Sequence, residues 1–136
     1  DQDSLVRERA AAALEIVASK DVGVAIMVED GAFYALVKCL EDGVEDVRMA
    51  AYKALIEAAR FEGARSAVVD MGTTLPGLVE LVQKEPPDLT LLGLNLLKAC
   101  TEVRHNDAAM VQLLQQTDAV PVLAELMTRR RPLHVQ

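Results

Sequence analysis

The chain has 136 residues, of which 51% are hydrophobic but only 3% aromatic, with no Trp. That length suits one compact domain or a few structural repeats, and a core built from Leu, Val and Ala suits closely spaced helices better than a sandwich or barrel. The net charge of −7 argues against phosphate backbones and anionic membrane surfaces as main partners, because both need clustered Lys and Arg.

The first element is a long helix that Asp3 or Ser4 can cap, with apolar residues at Leu5, Val6, Ala10, Ala13, Leu14 and Val17. A short helix follows over about 21–29, and Gly31 can supply the turn that ends it. The next helix, about 32–41, sets Phe33, Leu36, Val37 and Leu40 on one face. "EDG" (41–43) breaks the chain before a second long helix over about 45–60. The three-helix pattern recurs at about 62–70, 74–84 and 87–103, with Pro87 suited to a first helical turn. Helices over about 106–116 and 119–129 close the pattern, and "RRPLHVQ" reads as a frayed tail. No segment shows the two-residue alternation of a strand.

These elements repeat. Val6 aligns with Val47 at a spacing of 41, and the same shift carries Arg7 to Arg48, Ala10 to Ala51, Leu14 to Leu55 and Ala18 to Ala59. A shift of 42 then carries Val47 to Leu89, Ala51 to Gly93 and Leu55 to Leu97. The segments "VEDGAFYALVKCL" (28–40), "VVDMGTTLPGLVELV" (68–82) and "QQTDAVPVLAELM" (115–127) share a second plan, a polar or glycine break followed by a helix. A period of about 40–47 residues with two or three helices per unit marks HEAT or armadillo repeats. Short helix, helix, long helix, with Gly between the first two, is the armadillo order. "DGAFYALVKCLEDGVEDVRMAAYKALIEAA" (30–59) follows it, and the chain resembles the armadillo-repeat family over nearly its whole length.

The expected fold is therefore all-α: a right-handed superhelical armadillo-type solenoid of about three repeats of three helices, with incomplete end repeats. It forms a single domain over 1–136, with units at 3–42, 43–85 and 86–129 and the tail at 130–136. Each repeat covers its neighbours' apolar faces. That, with the absence of an initiator Met, leads us to expect a fragment of a longer solenoid.

Armadillo proteins bind through the groove lined by their long third helices. Nuclear-import receptors of this type carry a Trp and an Asn one turn apart in successive repeats. Here the matching Trp positions hold Ala12, Lys53 and Asn95, and the matching Asn positions hold Ile16, Glu57 and Ala99. Without indole platforms and clamping amides, an extended basic peptide has little to bind. The expected partner-binding groove consists of Ala12, Ile16, Met49, Lys53, Glu57, Leu91, Leu92 and Asn95, a mostly small or apolar set suited to a partner helix or folded surface. An alanine-rich helix fixes its facing poorly, so several of these positions face either the groove or the neighbouring helix.

No catalytic, cofactor-binding or metal-binding residues emerge. His105 and His134 sit in a turn and in the tail, with no Cys, Asp or Glu at ligand spacing. Cys39 and Cys100 lie in apolar helices, far from a disulfide framework, and indicate a reducing, cytoplasmic compartment. No stretch approaches the ~18 apolar residues of a membrane span, and none reads as a signal peptide. Arg129-Arg130-Arg131 reads as a solvated helix end, and Glu41, Asp42, Glu45 and Asp46 as a solvating and capping turn. "DMGTTLPG" (70–77) has one residue more than its counterparts, which predicts a local bulge.

Within the armadillo class, "DSLVR" (3–7), "ASKDVG" (18–23), "VRMAAYKAL" (47–55) and "GARSAVVDMG" (63–72) resemble the radial spoke protein 14 family, over roughly residues 3–110. That resemblance implies a non-catalytic protein–protein scaffold in the radial spokes of the ciliary or flagellar axoneme. Its partners would be other spoke or axonemal subunits, with no nucleic acid, membrane or small-molecule substrate. The competing expectation is a regulatory armadillo adaptor, such as a chaperone nucleotide-exchange factor or a catenin-like binding module.

Overall fold

A computed structural model describes residues 2–72, 74–101, 107–116 and 118–129. Among them are nine helices and no strand: α1 (Gln2–Val17), α2 (Asp21–Glu29), α3 (Ala32–Cys39), α4 (Glu45–Ala58), α5 (Glu62–Met71), α6 (Thr74–Lys84), α7 (Pro87–Thr101), α8 (Asp107–Gln116) and α9 (Ala119–Thr128). None is long and apolar enough to cross a membrane.

Local chemistry sets the helix ends. Gly31 and Gly72, 41 residues apart, are the two positive-φ glycines, at 87° and 75°. Each turns the chain from a short helix into the next one through a left-handed conformation that only Gly adopts without strain. Pro87 stands at the first position of α7, where its missing N–H costs nothing. Asp42 shapes the α3–α4 turn by accepting the Val44 N–H at 2.9 Å. One end differs from expectation. Because α1 already begins at Gln2, Asp3 lies inside its first turn and Ser4 is buried, so neither occupies the cap position.

Packing follows the repeat. α1 packs on α4 and α4 on α7, while α2 packs on α5, α5 on α8, and α6 on α9. Each of these helices therefore rests on the third one ahead. In addition, α3 packs on α4 and α6 on α7. The core runs through these layers as one apolar cluster centred on Phe33, Leu36, Tyr52, Leu55, Leu75, Leu78 and Leu89. α7 comes close to α6 because position 93 is Gly: a Cβ there would lie 2.5 Å from Val82 Cγ1.

α1 breaks the symmetry of burial. Val47, Ala51, Ala54 and Ala58 of α4 are all fully enclosed, yet their counterparts Val6, Ala10, Ala13 and Val17 are exposed. From this end Ala11 and Ala18 are buried in the core, and Leu14 packs partly against it. The apolar pattern of α1 matches α4, but no helix pair covers that face among the described residues.

Candidate protein-interaction face

Because α1, α4 and α7 lie side by side, residues at equal register in them fall on a common side of the molecule. Ala12, Lys53 and Asn95 are one such set. Ile16 and Glu57 belong to the next, one turn on, and Met49 and Leu91 to the one before. Ile16 is 76% exposed and Leu91 61%, and both are among the described chain's most open large apolar side chains. Lys53 and Asn95 are exposed, and Ala12 is half-buried. Glu57 is half-buried and paired with Arg60 one turn ahead, whose guanidinium also lies 5.5 Å over the Phe61 ring. Two residues have a second contact: Met49 and Leu92 are partly buried against the core. Leu92 stands one position out of the common register, and its counterpart on α4, Ala50, is buried.

The long helices also carry a network of charges, of which the sequence indicates only the solvating and capping turn that holds Asp42. Arg7 of α1 reaches Asp42, with Nε donating to Oδ2 at 2.8 Å and Nη2 to Oδ1 at 3.2 Å. One unit on, Arg48 of α4 donates to both oxygens of Glu85, the closest contact being Nη2 to Oε1 at 2.9 Å. Its Nη1 donates to the Asp42 carbonyl at 3.0 Å, so the two pairs meet at the α3–α4 turn. The Tyr52 hydroxyl donates to Glu85 Oε2 at 3.1 Å. In both units an Arg near the start of a long helix clamps an acid in the turn before the next long helix. In α7 the same position holds Thr90, whose hydroxyl donates to the Glu85 carbonyl at 2.9 Å instead. The signal was present in sequence: Arg7 and Arg48 share a register, and Asp42 and Glu85 precede successive long helices.

Electrostatics agree with this geometry. The Arg7 hydrogen bond, helped by the Val44 N–H, holds the Asp42 carboxyl below its ordinary value. The hydrogen bond to Glu85 raises Arg48, and burial followed by the Glu85 charge pushes the Tyr52 phenol well up. Cys39 and Cys100 form no disulfide. Burial raises both thiols, that of Cys100 to about 12, so they stay protonated and poorly nucleophilic at neutral pH.

Elsewhere, an open cleft of about 360 Å³ lies between α3 and α6, floored by Val37, Leu40, Leu78 and Leu81, with Glu41, Glu80 and Lys84 at its solvent rim. Gly77, the last residue of the segment for which an extra residue predicted a bulge, leaves room there; Thr73 of that segment lies outside the described residues. No three His, Cys, Asp or Glu side chains assemble as a metal site among the described residues. Arg129, just past the end of α9, pairs with Glu125 one turn back at 2.6 Å and is half-buried rather than solvated. Arg130, Arg131, His105 and His134 lie outside the described residues.

No family model matches the chain. Across 140 aligned residues, which take in 98% of the chain, it is 39% identical to radial spoke protein 14 of Chlamydomonas reinhardtii. The chain spans 36% of that relative's length. The matched stretch includes the long helices, the arginine–acid pairs and the exposed row on α1, α4 and α7. At this identity over almost its whole length, the chain is homologous to radial spoke protein 14.

Proposed function

We propose that the chain is a segment of an armadillo-type solenoid that serves as a non-catalytic scaffold in a radial spoke of the ciliary or flagellar axoneme. The observation that carries this reading is its similarity to radial spoke protein 14 over almost all of the chain. The right-handed solenoid reading draws on the packing of each helix on the third ahead and on the repeated Gly31 and Gly72 turns. On this reading the units are 3–42, 43–85 and 86–129.

The scaffold works through the row Ala12, Ile16, Met49, Lys53, Glu57, Leu91, Leu92 and Asn95. Ile16 and Leu91 serve as the exposed apolar anchors of that row, and Lys53, Glu57 and Asn95 as its polar rim. A stiff array of stacked helices suits a part that must carry force between other spoke subunits, and it needs no reaction chemistry. The partners are axonemal proteins, and the site of action is the axoneme.

A photo-crosslinking side chain placed at Leu91 tests this reading in reassembled axonemes. Crosslinks to spoke subunits are expected. Crosslinks confined to a chaperone or a signalling protein would instead support the regulatory adaptor.

A further inference from the structure

Arg48 holds two turns at once. The Nε and Nη2 edge of its guanidinium donates to the Glu85 carboxylate, while Nη1 donates to the Asp42 carbonyl. Asp42 lies in the α3–α4 turn and Glu85 in the α6–α7 turn. One planar group with a fixed fork of donors therefore ties together the starts of two successive long helices. Glu85 is in turn held from three further sides. The Tyr52 hydroxyl donates to its carboxylate from one turn along α4, and its own N–H donates to the Leu81 carbonyl of α6. Its carbonyl accepts the Thr90 hydroxyl of α7.

The apolar part of the α4–α7 contact fixes an angle less well. Opposite the Tyr52 ring, α7 carries Gly93, where an added Cβ would stand 3.6 Å from the ring. A flat ring against a bare stretch of helix buries area but interlocks with no branched side chain. Apolar burial is non-directional, whereas hydrogen bonds from a guanidinium to a carboxylate carry geometry as well as energy.

We propose that Arg48 is a pin that sets the angle between α4 and α7, and with it the shape of the face on which Lys53 and Asn95 stand at equal register. The role of the buried pair is to select one arrangement of the two helices rather than to add net stability. Removing Arg48 together with the charge of Glu85 strands no ion, so it should loosen the angle while the fold persists. The pin belongs to the chain itself, so the proposal stands or falls independently of the spoke assignment.

NMR residual dipolar couplings of the 136-residue chain test it, because they report the orientation and motion of each helix separately. In the wild type, α4 and α7 should fit one alignment tensor of equal magnitude. Arg48→Met with Glu85→Gln replaces the pair by neutral side chains of similar size, and the Gln oxygen still accepts from Tyr52. That variant should melt cooperatively yet show a smaller tensor for α7 than for α4. Arg48→Lys keeps the charge but has no planar fork to reach Glu85 and Asp42 together, and it should show the same loss. It also decides the matter if the double variant does not fold. Variants in which α4 and α7 still share one tensor of unchanged magnitude overturn the proposal, as does a wild type in which the two helices already differ.

Discussion

Glu85 is a carboxylate with only 4% of its side chain exposed, and its stability rests on Arg48 and Tyr52. Removing one partner of a buried charged pair strands the other, which costs about 3–5 kcal/mol, whereas exposed pairs contribute little. Arg48→Ala should therefore destabilise the chain by about 3 kcal/mol in urea unfolding. Arg7→Ala, at the more open pair, should do far less. Equal losses would show that the two clamps are not graded by burial. Asp42 gives a pH test with a definite sign. Its folded value lies below the ordinary aspartate value of about 3.9, so the native state holds this carboxyl deprotonated in a window where the unfolded chain protonates it. The stabilisation is fully present above that ordinary value and is lost as pH falls through the lowered one. A carbon NMR titration of the Asp42 carboxyl should find a midpoint below the ordinary value, and Arg7→Ala should move it upward. A midpoint unaffected by Arg7→Ala would contradict the pairing.

At the scale of elements, the close approach of α6 and α7 depends on Gly93. Gly93→Ala should destabilise by about 1–3 kcal/mol through overpacking against Val82, even though Ala favours helix. Val82→Ala in the same chain should recover part of that loss, and thermal melts of the single and double variants measure it. Leu55 and Leu97 occupy equivalent buried positions, so changing either to Ala should cost about 2–5 kcal/mol. A near-zero loss at either would undo the repeat alignment.

The helices were legible from the sequence because Gly31, "EDG", Gly72 and Pro86-Pro87 punctuate it and apolar residues recur at three- and four-residue spacing. The facing of α1 was not. Hydrophobicity alone would bury Val6 and Val17, yet Ala11 and Ala18 take the inner side. A helix with four consecutive alanines at its centre, Ala10 to Ala13, carries little moment to orient it, and periodicity cannot say whether a covering helix is present. The same ambiguity left Leu92 between groove and core, and the structure places it partly against the core. The clamp of Arg48 on Glu85 went unread because its partners lie 37 residues apart, beyond any local pattern.

On the scale of the whole molecule, stacked layers give an all-helical body with one open row across α1, α4 and α7. Net charge is −7, and the row exposes the apolar side chains of Ile16 and Leu91 rather than a cationic track. Ile16→Glu with Leu91→Glu should leave helix content and melting nearly unchanged, because both side chains already face solvent. The same pair should abolish binding to a partner that uses the row. The most direct test of the spoke assignment is sedimentation of labelled chain with radial spokes extracted from flagellar axonemes. The account predicts that wild-type chain travels with the spokes and that the Ile16→Glu, Leu91→Glu variant stays at the top of the gradient. Wild-type chain remaining with the free protein, or a variant travelling with the spokes as well as wild type does, would contradict it.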